Sequence, residues 1–150
     1  KITDKWQAFA SYTQLSSEVL KAAPGEDEVQ EGQALANTPP RSFSLWTSYQ
    51  LPADFELGYG AQFVDERNVA VATADTPPQA SRAKIDSYWV HGAMLGYQAS
   101  KELHLQLNVN NLFDEEYYDR VRTSNGTGSN SGGLVPGDGL SAELSAIYTF

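Results

Sequence analysis

The side chains best equipped for chemistry crowd one short run, Glu115-Glu116-Tyr117-Tyr118-Asp119-Arg120, at the end of "LHLQLNVNNLFDEEYYDR". Paired carboxylates beside phenols could move a proton or help hold a cation. Either use needs a further base or ligand, and the chain offers few. Its only histidines, His91 and His104, stand in no ligand-spaced cluster, and Cys is absent. No metal site, cofactor or catalytic residue is therefore expected, and neither thiolate nor disulfide chemistry is open to the chain. The Gly-rich run "NGTGSNSGGLVPGDG", 125–139, lacks the strand before, the helix after and the Gly-Lys-Ser/Thr ending of a phosphate loop. It reads as loop, and the acidic run "GEDEVQEG", 25–32, reads as a solvated loop tip. What remains is a set of aromatic rings in unusual company. Trp46 and Tyr88 fall on the polar face of predicted strands and Tyr118 at the mouth of the last long connection, so these three are the candidate contacts for a flat, partly apolar ligand.

The elements that must position these rings are strands. Period-two alternation predicts six, at 5–14, 41–51, 55–66, 85–98, 103–110 and 140–150. The fifth alternates throughout: Leu103, Leu105, Leu107 and Val109 on one face, His104, Gln106, Asn108 and Asn110 on the other. The last does likewise, with Leu140, Ala142, Leu144, Ala146, Tyr148 and Phe150 apolar. The one helix-friendly stretch, 16–23, is short and runs into Pro24-Gly25. Connections alternate strictly between tight (52–54 and 99–102) and long (15–40, 67–84 and 115–139). In an antiparallel up-and-down sheet this gathers every long connection at one end.

A soluble sandwich has no general need for that asymmetry, whereas a transmembrane β-barrel shows it routinely. Strands of about ten residues also suit a tilted crossing of the hydrocarbon layer. Apolar-face aromatics fall near strand ends, as interfacial girdles require: Trp6 and Tyr12, Tyr49, Phe55 and Phe63, Trp89 and Tyr97, Tyr148 and Phe150. His91 is the discord, a polar ring on the apolar face. The bulk numbers agree with a barrel wall. There are 19 acidic residues against 10 Lys and Arg, a net charge of −9, which argues against nucleic acid as a partner. No apolar run approaches the length of a membrane helix. At 150 residues the chain could be a single domain, but Trp6 to Tyr12 already reads as strand with little lead-in, so a fragment is expected.

Periodicity alone leaves a soluble antiparallel binding module open, with its apolar face buried by a partner. A porin-like or autotransporter pore also remains open.

Particular motifs go further. "LQLNVNNLFDEEYY" resembles the penultimate-strand motif of TonB-dependent outer-membrane receptors, N-x-x-N-L-F-D-x-x-Y, matched by Asn108, Asn111, Leu112, Phe113, Asp114 and Tyr117. "NTPPRSFSLWTSYQL" resembles the family's re-entry into the barrel at a Pro. "YWVHGAMLGY" resembles another family strand, with Gly92 where an Asp is common. "AELSAIYTF" resembles the terminal signal read by the barrel-assembly machinery, carried here by Leu144, Ala146, Tyr148 and Phe150. One departure is Leu140, where the family often has Arg.

The resemblance implies an all-β chain, about the last six strands of a 22-stranded barrel with a plugged lumen. The N-terminal plug domain and earlier strands would be absent from this chain. It further implies an outer-membrane location in lipid, a ferric siderophore as ligand, and TonB as energy coupler, contacted outside this chain. Within the motif, Phe113 is expected to tuck under the loop base and Asp114 to accept backbone N–H bonds at the turn.

Overall fold

A computed structural model of the chain describes residues 1–21, 32, 34–69, 84–122 and 133–150. The acidic run, apart from Gly32, and residues 125–132 of the Gly-rich run lie outside them. The main body is one antiparallel sheet of six strands: β1 (Trp6–Gln14), β2 (Arg41–Gln50), β3 (Phe55–Val64), β6 (Tyr88–Gln98), β7 (Leu103–Asn110) and β10 (Ser141–Tyr148), hydrogen-bonded in that order. Each strand pairs with the next along the chain, as the alternating turns and long connections require. Four short strands were not expected. β4 (Arg67–Asn68) pairs β5 (Lys84–Ile85), and β8 (Tyr118–Arg122) pairs β9 (Gly133–Pro136). Both ribbons stand on the long connections. Ile85, expected within the fourth main strand, instead belongs to β5.

Register confirms the two faces. Leu57, Leu95, Leu107 and Leu144 line up strand by strand, as do Tyr59, Ala93, Val109 and Ala142. One residue along, Met94, Asn108 and Glu143 share the opposite face with Gly58 and Ser48. The apolar face is uncovered: Trp6, Tyr49, Leu57, Trp89, Leu95, Leu107 and Leu144 are all exposed. A contiguous apolar surface of this extent is a liability in water and ordinary against lipid. Phe55 stacks on Tyr97 at 4.5 Å near the tight turns, and Phe63 meets Trp89 at 5.1 Å near the long connections. These are the two expected girdles.

The tight turns explain themselves chemically. Ala53 and Asp54 both hold positive φ, 60° and 62°, within the three-residue connection 52–54 that the Leu51 N–H closes on the Phe55 carbonyl. At the second turn, the Ser100 hydroxyl oxygen accepts the backbone N–H groups of Glu102 and Leu103. Of residues 16–21, none is helical.

Candidate functional site

The buried polar groups gather where the long connections leave the sheet. The end of β7 shows how they work. Asn111 has φ 47° and is 3% exposed. Its Nδ2 donates to the carbonyls of Glu115 and Asp138, each at 2.9 Å, and its Oδ1 accepts the Glu115 N–H at 2.9 Å. Asn is suited to the position because it tolerates the left-handed region and carries both a donor and an acceptor on a short stem. Asp114, at φ 53°, donates its own N–H to the Asn111 carbonyl, while its Oδ1 accepts the N–H of Leu140 at 2.9 Å. The motif is thus a staple. It closes a turn at the end of β7 and pins that turn to the residues entering β10.

Phe113 does not tuck under the loop base. It is 67% exposed and meets the ring of His91 edge-on at 5.0 Å, on the apolar face. The reason lies in the backbone: the left-handed Asn111 turns the chain as it leaves β7, and Phe113 falls on the apolar face beside His91. The same contact settles His91. Its Nδ1 lies 2.6 Å from the Tyr59 hydroxyl, and Trp89 stacks on it at 6.0 Å. A polar ring on the lipid-type face thereby has its hydrogen bond met from the same face.

Tyr117 lies across Gly137, where any Cβ would collide with the ring, and its carbonyl accepts the Gly137 N–H at 2.8 Å. Burial raises the Tyr117 phenol above its ordinary pKa, and the carboxylates of Asp138 and Asp119 add to the rise. The ring also packs on Tyr88 at 4.2 Å. Of the other motif residues, Leu112 extends the ladder by donating its N–H to the His91 carbonyl at 2.7 Å. Asn108 accepts a bond from Gln106 on the wet face at 2.9 Å.

Arg67 has no counterpart in the sequence reading. It is 4% exposed and lies over the Tyr88 ring, 5.7 Å from its centre. Its Nη2 donates to the Tyr118 carbonyl at 3.0 Å and to that of Asp119. Its Nη1 has no acceptor among the described residues. The ring and the carbonyls offset part of the cost of burying a guanidinium. Asn37, at φ 55°, makes a matching pair of bonds. Its Oδ1 accepts the Val121 N–H at 2.9 Å and its Nδ2 donates to the Val121 carbonyl at 3.0 Å, while its own N–H reaches the Asn68 carbonyl at 3.0 Å. Arg41 Nε meets Asp65 Oδ2 at 2.6 Å, and this bond holds the Asp65 carboxyl below the usual carboxylate range.

The three candidate ligand rings are therefore divided. Tyr88 and Tyr118 belong to one cluster, joined through Arg67. Tyr118 is 47% exposed and lines a cleft of about 270 Å³ with Asp114, Glu115, Glu116 and Pro136. Tyr88 is held between Arg67 and Tyr117. Trp46 stands apart: it pairs with Gly60, four residues down β3 from the partner of Tyr88, about 13 Å deeper at strand rise. Its ring lies flat over Gly58 and Gly60 against the Met94 side chain. The glycines are the space the indole occupies.

Residues 1–112 match the family model "TonB dependent receptor-like, beta-barrel". The chain belongs to the TonB-dependent receptor β-barrel family. The "Catecholate siderophore receptor Fiu" of Escherichia coli K12 is 36% identical over 124 residues, a match covering 82% of this chain and 15% of Fiu. The "Probable TonB-dependent siderophore receptor PiuA" of Acinetobacter baumannii is 32% identical over 131 residues, covering 83% and 17%. This chain thus spans less than a fifth of either relative's length. Among solved structures, the closed form of E. coli Fiu superposes with a TM-score of 0.77 at 33% identity, over 99% of this chain and 19% of that one. PiuA superposes at 0.73 with 28% identity, over 98% and 20%. The six-stranded sheet is accordingly wall from a TonB-dependent barrel of the outer membrane. Its apolar face is the lipid face and its polar face the lumen.

Proposed function

We propose that this chain is the C-terminal part of the wall of a ferric-siderophore receptor. The strands seal the barrel, and the long connections form the outer mouth at which the chelate is first met. Tyr118 at the mouth and Trp46 deeper on the lumen wall present rings to a flat iron chelate, while Tyr88, held between Arg67 and Tyr117, supports the cluster rather than meeting the chelate. The observation that carries the reading is the pairing of an uncovered lipid face with a rim of buried, cross-linked polar groups that leaves Tyr118 open beside a cleft. The names of Fiu and PiuA as siderophore receptors support the ligand class. Plug, earlier strands and the contact with TonB belong to the rest of the polypeptide. The outward series Leu144, Ala146, Tyr148 and Phe150 is what the barrel-assembly machinery would read; Tyr148 and Phe150 meet edge-on at 5.2 Å. The chain's role is transport, not catalysis.

Uptake of radio-iron as its dihydroxybenzoate complex, a simple catecholate, tests this in cells whose own catecholate receptors are deleted. Expression of the receptor containing this chain is expected to restore uptake, and only when TonB is present. Absence of uptake with this complex and with hydroxamate iron alike would overturn the reading.

A further inference from the structure

The hydrogen bonds at the rim join segments far apart in the chain. Asn37 comes from the first long connection, Arg67 and Asn68 from the second, and Tyr118, Asp119 and Val121 from the third. Asn37 pairs with both backbone groups of Val121, occupying the place a neighbouring strand would take. Its N–H is bound to the Asn68 carbonyl, so one residue holds the other two connections together. Arg67 closes the triangle through the carbonyls of Tyr118 and Asp119. Ile85 and Val121 are both buried within this region. Here the bases are joined directly, by the buried Arg67 and the half-buried Asn37, whose several bonds must all be given up for the segments to part.

We propose that Asn37 and Arg67 form a latch that makes the bases of the three long connections one mechanical unit. A displacement of any one is carried to the others, which couples contacts made at separate places on the rim. Arg67 is thereby a positioning residue for Tyr118, whose backbone it holds while leaving the ring open. The consequence for a siderophore rests on the reading above; the coupling itself does not.

Hydrogen exchange on the ligand-free receptor in detergent micelles tests the latch. Asn37→Ala is expected to speed exchange at the Val121 amide by about tenfold or more, the effect of losing one enclosed bond. It should also speed exchange across β4, β5, β8 and β9, while β2, β3 and β6 stay protected. Arg67→Gln should reproduce this pattern from the other side, reaching the Asn37 amide. Asn37→Asp, which keeps the acceptor for the Val121 N–H and loses the donor, should fall between. If each change loosens only its own bonding partners, the connections are separate and the latch is wrong. Should the Arg67 variant fail to insert, Asn37→Ala and Asn37→Asp decide alone. A ligand arm, titrating iron(III) dihydroxybenzoate and a hydroxamate iron complex by quenching of tryptophan fluorescence, separates the two readings. Coupled exchange without chelate binding would sink the siderophore reading and keep the latch.

Discussion

The wall and the rim of this chain are stabilised by opposite means. The wall has five antiparallel pairings, residue against residue, and hides almost nothing: Ala61 and Met94 are its buried apolar residues among those described. Its backbone bonds are many and interchangeable, and lipid completes it. The rim has little regular structure, yet it holds the buried Asp65, Arg67, Asn111, Ile85 and Val121. Its bonds are few, made by particular side chains, and those of Asn37, Arg67 and Asp114 tie distant segments. A wall tolerates change at most positions provided the face is respected. A rim tolerates little change at a few positions and much elsewhere.

That contrast can be broken, starting with the largest effect. Leu107→Lys, on the lipid face at mid-strand, should destabilise the inserted receptor by about 2–4 kcal/mol, whereas Asn108→Lys on the lumen side should cost under about 1 kcal/mol. Urea titration of the receptor in micelles measures both, and equal costs would deny the faces. At the rim, Asn111→Ala strands two carbonyls and an N–H and places Ala at positive φ. A loss of about 2–3 kcal/mol is expected, against about 0.5 kcal/mol for neighbouring Asn110→Ala. Next comes the lumen wall, where Gly58→Ala must displace both the Trp46 indole and the Met94 tip, at about 1–3 kcal/mol. The double change with Trp46→Ala should recover most of that loss. The smallest effect is electrostatic. Asp65 has a lowered folded pKa, so its contribution is present above the ordinary carboxylate range and is lost as pH falls through the depressed value. Arg41→Gln should therefore weaken the receptor slightly at neutral pH and not at all in acid.

The same contrast explains what could be read from the sequence. Wall strands were legible because their evidence is local: Leu103 to Asn110 declares both faces in eight residues, and Pro52-Ala53-Asp54 declares a turn. The staple was half legible, since Asn111 and Asp114 sit inside a recognisable motif. Their partners Asp138 and Leu140 lie about 26 residues on, and the outward swing of Phe113 follows from backbone angles that no periodicity encodes. The latch was not legible. Arg67 is one charge among "VDERN" and Asn37 a polar residue shortly before two prolines, and neither stretch carries a pattern that names its partner. Their partners stand 51 and 84 residues away in the chain. The glycines at 58 and 60 did carry a readable signal, two missing side chains facing a tryptophan one strand over, but only once the register was known.

The most direct test of the wall account uses the absence of Cys from this chain. Single cysteines placed in turn from Leu103 to Asn110 in the membrane-inserted receptor can be labelled with a charged thiol reagent that does not enter lipid. Labelling is expected at 104, 106, 108 and 110, with 103, 105, 107 and 109 protected and quenched by lipid-borne nitroxide. Alternation in the opposite phase, or uniform labelling along the strand, would contradict it.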